Sequence, residues 1–162
     1  MKVILYDVGP EYKDMIERRC DRAFAADGRF APCQGCFGCW TKHPAECFMK
    51  DSLHRVCRLI GEADELVIVT KNLYGGCSAE VKNVLDRSIG TSTPLSVYRG
   101  GQMHHTLRYG RHELWKVIVY GDVTEAERET FRLLARRNAI NDGYRRAEVV
   151  FLADLAELEG QL

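Results

Sequence analysis

Short apolar runs alternate with helix-like patterns along this chain, and this alternation constrains the fold more than any other feature. The apolar runs have the length of strands and cover residues 3–6, 66–70, 115–120 and 149–152. A helical pattern separates each run from the next. Strands that alternate with helices form parallel sheets through right-handed crossovers. The sequence therefore predicts an α/β protein built as a three-layer sandwich.

Spacing and capping residues predict where the helices lie. A helix is expected over residues 11–25, because apolar side chains recur there every four residues: Tyr12, Ile16, Cys20 and Phe24. A second helix is expected over residues 53–60, with Asp51 or Ser52 as its cap. Two more are expected to begin at Ser78 and at the capping box of residues 124–127.

Composition and charge exclude several classes of protein. The 162 residues fit a single domain over residues 1–162, and basic and acidic side chains number 23 each. A nucleic-acid-binding domain usually has a basic excess. No apolar run approaches the ~20 residues that span a bilayer, and residues 1–14 lack the features of a signal peptide. We therefore expect a cytoplasmic protein that binds neither nucleic acid nor membrane.

The close spacing of several cysteines in the sequence suggests a chemical role for them. Four of the seven cysteines follow one another at short spacing: Cys33, Cys36, Cys39 and Cys47. Four thiolates can hold an iron–sulfur cluster or a zinc ion. The same residues can also pack as small apolar side chains in a tight loop. Cys20 and Cys57 lie on predicted helix stripes, where we expect them to be inert.

The turn after the second apolar run is a candidate ligand site. Ligands of open α/β sheets bind at the carboxyl ends of the strands. Gly75 and Gly76 allow the backbone to approach a ligand closely, and Tyr74 can stack on a flat ring. An ordinary strand-to-helix turn, in which Tyr74 covers apolar surface, is the alternative.

Residues 90–113 have no clear periodicity, and we interpret them as a long functional loop. This loop holds a polar, aromatic and basic group that we expect to form a lid or an interface rather than a metal site: His104, His105, Arg108 and Tyr109.

Together these motifs resemble the NADPH-dependent FMN reductase and iron–sulfur flavoprotein branch of the flavodoxin-like superfamily. The resemblance covers roughly residues 30–155. It rests on the cysteine run with Trp40, on the stretch from Asp64 to Arg87, on residues 101–109, and on Gly121 with Asp122. It implies a flavodoxin-like sandwich with a parallel sheet in the order 2-1-3-4-5, usually in a homodimer or homotetramer. It also implies hydride or electron transfer through FMN, with NAD(P)H or a protein as the electron donor.

The resemblance also implies which residues bind the cofactor. The turn after the third strand would contact the isoalloxazine ring, the loop after the first strand would bind the phosphate, and a third loop would approach from another side. In chain order the implied residues are Gly9, Pro10, Tyr12, Thr70, Lys71, Asn72, Leu73, Tyr74, Gly75, Gly76, Gly121 and Asp122. The candidate ligands of a [4Fe–4S] cluster are Cys33, Cys36, Cys39 and Cys47.

Two departures from the family pattern bear on these expectations. The first loop carries Asp7, Glu11 and Asp14 where the family has hydroxyl, amide and arginine side chains, and these carboxylates would repel a phosphate. Few residues precede the cysteines, so the second strand must be short or absent, with residues 28–31 as its candidate. Three functions follow as alternatives: an FMN-dependent oxidoreductase, an iron–sulfur flavoprotein, or a non-enzymatic relative that has lost FMN.

Overall fold

The main sheet has five strands and is parallel throughout. A computed structural model describes all residues, 1–162. The strands of this sheet are β1 (Lys2–Tyr6), β2 (Arg22–Ala25), β3 (Glu65–Lys71), β6 (His112–Tyr120) and β7 (Tyr144–Phe151), in the order β2-β1-β3-β6-β7. Because β4 (Ser92–Arg99) and β5 (Gln102–Leu107) lie outside the sheet, β6 and β7 take the fourth and fifth places. The predicted 2-1-3-4-5 order is therefore confirmed, and β2 is short, as expected.

Helices cover both faces of the sheet, which confirms the three-layer sandwich. They are α1 (Lys13–Glu17), α2 (Gly38–Thr41), α3 (Val56–Gly61), α4 (Ala79–Arg87), α5 (Glu125–Asp142) and α6 (Leu158–Gln161). On one face, residues of α3, α4 and α5 form the larger core, with Cys57, Val84 and Phe131 fully enclosed. On the other face, Ile16 and Leu158 pack in a smaller core.

The predicted helix over residues 11–25 is wrong. A 3₁₀ turn (Pro10–Tyr12) leads into the five residues of α1, and residues 22–25 form β2 instead. Ala23 and Phe24 pair with Ile4 and Leu5 of β1. The free edge of β1 offers backbone hydrogen bonds that outweigh the local helical spacing. Residues 28–31, the candidate for the second strand, come after β2 and form no strand.

The predicted loop over residues 90–113 is largely an antiparallel hairpin. Strands β4 (Ser92–Arg99) and β5 (Gln102–Leu107) are joined by Gly100 and Gly101, whose φ angles are 57° and 78°. Two residues in the left-handed backbone conformation form the type of turn that joins two strands through a two-residue loop. In the sequence, a Gly-Gly pair between two segments of strand length indicates such a hairpin.

The predicted helix starts are confirmed for the two longest helices. The Ser78 side chain accepts a hydrogen bond from the Val81 N–H at the start of α4. Thr124 and Glu127 form both bonds of a capping box at the start of α5. The helix expected over residues 53–60 begins later, at Val56, and Asp51 binds Arg87 as well as the Leu53 N–H.

No helix has both the length and the apolar character needed to cross a membrane.

Candidate functional site

Three loops meet at the carboxyl edge of the sheet, after β1, β3 and β6. Asp7 follows β1, and its carboxylate accepts hydrogen bonds from the Lys71 N–H at 3.0 Å and from the Thr70 hydroxyl at 3.3 Å. These contacts join the first two loops at the point between β1 and β3 where the strand order reverses. In doubly wound sheets this reversal point is where ligands bind.

Asn72 joins the second loop to the third. Its Nδ2 donates to the carbonyl of Asp122 at 2.8 Å, and its Oδ1 accepts from the Gly75 N–H at 3.0 Å. The Asn72 N–H itself donates to the Tyr120 carbonyl at 2.9 Å. One amide side chain therefore sets the positions of both loops, a role that the sequence did not single out.

A tight turn at Tyr74 and Gly75 projects from this junction. Leu73 and Gly76 exchange two backbone hydrogen bonds of 2.9 and 3.0 Å, and the two residues between them have φ angles of 52° and 80°. A β-carbon on Gly75 would lie 3.0 Å from the Thr130 side chain, so glycine is needed for the close approach of α5. The Tyr74 side chain is 89% exposed. Its ring is free to stack on a flat ligand.

Buried groups behind the turn are neutral at ordinary pH. Burial, followed by the charge of Asp7, raises the pKa of the Cys77 thiol to about 12. The same two causes raise the pKa of the Tyr120 hydroxyl above its usual range. The carboxylate of Asp7 is thus the main charge at the base of the site.

The first loop does not supply the donors that a phosphate needs. Gly9 and Pro10 precede Tyr12 without a side-chain cap, and α1 has only five residues. The Glu11 carboxylate occupies the space in which a β-carbon on Gly9 would lie. Lys13 pairs with Glu17 at 3.8 Å. This loop therefore places negative charge at the edge of the sheet where the family resemblance implies the phosphate of FMN.

The four clustered cysteines line one small cavity of about 20 Å³ beside the carboxyl end of α4. The sulfurs do not converge: no three His, Cys, Asp or Glu side chains are arranged to hold a metal ion. Cys36 is exposed, and the others are half-buried. A cluster would require these thiols to turn toward a common centre.

Cys39 contacts the buried Cys57, which sequence reasoning treated as inert. The neighbouring Cys57 thiol is the main cause that lowers the pKa of Cys39 to about 7. The same contact, and then burial, raise the pKa of Cys57. Cys57 donates its single S–H to the carbonyl of Arg87 at 3.3 Å. Cys39 therefore ionises more readily than an ordinary cysteine.

An ion pair holds the cysteine segment against α4. The guanidinium of Arg87 is fully buried and binds both carboxylate oxygens of Asp51, at 2.5 and 2.8 Å. It also donates to the carbonyl of Ala31 at 2.9 Å. No local pattern indicates this contact, because Asp51 and Arg87 are 36 positions apart.

The lid or interface residues of the prediction lie on β5 or just after it. The His105 ring packs against Trp40 at 4.6 Å between centroids, with the ring planes tilted by 50°. Arg108 donates to the carbonyl of Gly90 at 3.0 Å, and the Tyr109 ring packs on Gly61. His104 is 3.4 Å from the Asn141 side chain. All four contact residues of their own chain, near the amino ends of the central strands rather than at the three loops.

Comparison with known proteins gives a consistent picture. An iron–sulfur flavoprotein of Methanocaldococcus jannaschii is 33% identical over 111 residues, covering 60% of this chain and 56% of the relative. One from Archaeoglobus fulgidus is 36% identical over 62 residues, covering 38% of this chain and 29% of the relative. The chain thus spans about half or less of the length of these relatives. No family model matches it.

Two solved structures with low sequence identity share the fold. An FMN-dependent NADH-azoreductase from Bacillus anthracis aligns with a TM-score of 0.57 at 12% identity, covering 98% of this chain and 92% of the other. An NAD(P)H:quinone oxidoreductase from Methanothermobacter marburgensis aligns with a TM-score of 0.56 at 15% identity, covering 98% and 93%.

Proposed function

Since this chain has the flavodoxin-like fold and is related in sequence to iron–sulfur flavoproteins, we propose that it is an FMN-dependent oxidoreductase. The substrate class is a flavin-reactive acceptor, and NAD(P)H or a reduced protein is the electron donor. The flavin cofactor is supported by a relative named as a flavoprotein and by a structural neighbour named as FMN-dependent. The electron donor is supported by two structural neighbours whose names include NADH or NAD(P)H.

One observation carries the proposal: the turn of Tyr74 and Gly75 projects at the reversal point between β1 and β3. Tyr74 presents an exposed ring, and Leu73 beside it is 48% exposed. An apolar side chain and an aromatic ring that share one exposed turn suit the face of an isoalloxazine.

The residues of this chain would hold and orient the cofactor. FMN, when bound, supplies the ability to accept a hydride or single electrons. The Asn72 amide holds the loops after β3 and β6 together, and the Tyr74 ring would cover one face of the flavin. The raised pKa values of Cys77 and Tyr120 keep both side chains neutral and poorly able to give up a proton at the base of the site.

A titration with FMN tests the proposal. We expect saturable binding of FMN, with a shift of the flavin absorption bands, and NAD(P)H oxidation that depends on FMN. Tyr74→Ala should weaken FMN binding about tenfold, because base–aromatic stacking contributes ~1–3 kcal/mol. Leu133→Ala is the control, since Leu133 is also exposed but lies on α5. No binding at high micromolar FMN would refute the proposal.

A second candidate function rests on the four cysteines that line one cavity. We propose that Cys33, Cys36, Cys39 and Cys47 would turn toward a common centre to hold a [4Fe–4S] cluster, which would supply single-electron transfer. Anaerobic reconstitution should give about four irons per chain. Cys47→Ser should lower this content, and Cys20→Ser, far from the cavity, should not. A zinc ion, or no metal, in the reconstituted protein would contradict the cluster.

We further propose that the protein forms a homodimer or homotetramer through the hairpin of β4 and β5. Leu95, Tyr98 and Met103 are more than 60% exposed on this hairpin. A two-stranded ribbon alone is marginally stable in water, so a second ribbon from another copy is the partner that suits it. Tyr98→Lys should convert an oligomer to a monomer in light scattering. A monomeric parent protein would contradict this proposal.

A further inference from the structure

A larger cavity lies beyond the cysteine segment, near the amino ends of the central strands. Its volume is about 370 Å³, within the usual range for small-molecule sites. It is enclosed by the carboxyl ends of α4 and α5, by Trp115 at the start of β6, and by β5. The three flavin loops lie at the opposite edge of the sheet, so this cavity is separate from the proposed cofactor site.

Aromatic rings form one wall of this cavity. Phe37 and Trp40 are 5.0 Å apart between centroids, and the Trp40 ring is 4.6 Å from the His105 ring. Trp40 is fixed in place, because its Nε1 donates to the carbonyl of Ile89 at 2.8 Å. A row of fixed rings favours a flat ligand, which can stack without any rearrangement of the protein.

Two lining residues have buried polar atoms without hydrogen-bond partners. Trp115 is 2% exposed, and its Nε1 has no partner. The Nδ1 of His105 is also buried and has none. Buried polar groups are almost always paired in folded proteins. Both atoms are closed to water, so a ligand that accepts a hydrogen bond from the Trp115 indole must displace part of the wall that covers it.

The charges around the cavity select against anions. Asp86 and Asp142 line it, whereas no Lys or Arg does. Asp86 is already paired with Lys82 at 2.6 Å, which leaves Asp142 and the Asn138 amide to accept or donate hydrogen bonds. A ligand with an N–H group can donate to the Asp142 carboxylate, but a phosphate or carboxylate on the ligand would be repelled.

We propose that the cavity between Trp40, Trp115, His105 and Asp142 binds a small planar nitrogen heterocycle that is uncharged or cationic. A ring of nucleobase size fits the volume. Such a ring presents both a nitrogen or carbonyl that accepts from Trp115 and an N–H that donates to Asp142. This site is additional to the flavin site and does not depend on it.

Tryptophan fluorescence tests the proposal directly, because the chain has two tryptophans and both line the cavity. Adenine and nicotinamide are the probes, and AMP is the anionic comparison. We expect adenine or nicotinamide to quench the emission saturably. AMP should bind at least tenfold more weakly than adenine. Absence of saturable quenching by both neutral probes, as for a cavity that holds water alone, would overturn the proposal.

Two variants assign the quenching to the cavity. Asn138→Phe should abolish it, because the larger side chain fills the cavity from α5. Leu133→Phe is the matched control: Leu133 is on the same helix but is 56% exposed and does not line the cavity. Trp115→Phe should weaken binding about tenfold through loss of one hydrogen bond, with Trp40 as the remaining reporter. Quenching that persists in folded Asn138→Phe protein would overturn the assignment to this site.

Discussion

Glu11 is the residue that most affects what the carboxyl edge of the sheet can bind. Its carboxylate lies against Gly9 in the loop where the phosphate of FMN is expected. Asp7, in the same loop, accepts the Lys71 N–H and so removes a donor that a phosphate could use. The acidic sequence of this loop predicted the repulsion, but only the fold shows that Glu11 covers the glycine.

Replacing Glu11 should show how the loop affects binding of the phosphate, as distinct from binding of the rest of the flavin. We expect Glu11→Ser to strengthen FMN binding about tenfold, because a unit charge about 4 Å from a phosphate costs on the order of 1 kcal/mol per phosphate charge even in water. Riboflavin, which lacks the phosphate, should bind with unchanged affinity. The measurement is a fluorescence titration with each flavin.

Glu129→Ser is the control for this change, since it removes the same charge from an exposed position on α5. It should leave the affinity for FMN and for riboflavin as it is. If Glu11→Ser strengthens the binding of FMN and of riboflavin equally, then the shape of the loop, and not its charge, limits binding.

Arg87 is the residue whose loss should be most damaging to the fold. Arg87→Met leaves the Asp51 carboxylate and the Ala31 carbonyl without their partner, and breaking a buried ion pair costs about 3–5 kcal/mol. Lys82→Met breaks an exposed pair with Asp86 on the same helix and should cost under about 1 kcal/mol. Urea unfolding of both variants measures the difference. Equal losses of stability would contradict the structural importance of Arg87.

Among the secondary-structure elements, those with their own start signals were predicted best. The capping box of α5 and the Ser78 cap of α4 form as their sequences indicate, because each cap is a bond between residues three positions apart. The helix over residues 11–25 failed because a neighbouring strand, distant in sequence, recruited residues 22–25. The hairpin of β4 and β5 was overlooked although its Gly-Gly turn is a local signal.

The cap of α5 can be tested alone. Thr124→Ala should lower the free energy of unfolding by about 1 kcal/mol, because the Glu127 N–H loses its acceptor. Thr130→Ala, in the exposed interior of the same helix, should change it little or raise it slightly. Thermal unfolding of the two variants gives the comparison. A larger loss in Thr130→Ala would mean that the cap does not limit the stability of α5.

The stability of the whole molecule depends on pH through one buried carboxyl group. Burial raises the pKa of Asp142 to about 6 from its ordinary value of 3.8. The folded protein therefore holds this proton more tightly than the unfolded chain does. Its contribution to stability is present at low pH and is lost as the pH rises from about 4 to about 6.

The variant Asp142→Asn isolates this effect, because an amide does not ionise. We expect the wild-type free energy of unfolding, minus that of Asp142→Asn, to fall between about pH 4 and about pH 6 and to be constant above about pH 7. Urea unfolding across this range measures it. A difference that does not change with pH would show that Asp142 is not buried from water in solution.

The sequence by itself determined the alternation of strands and helices and hence the layers, since hydrophobic runs and helix caps act between near neighbours; the strand order was implied by the family resemblance. The sequence also marked the cysteines and the Tyr74–Gly75 turn as candidates. Only the tertiary structure decided that β2 replaces the end of a predicted helix, that Arg87 binds Asp51, and that Asn72 joins two loops. It alone places Trp115, His105 and Asp142 around one cavity. These contacts join residues far apart in the chain, so their energies depend on the packing of the whole sheet and cannot be read from any local pattern.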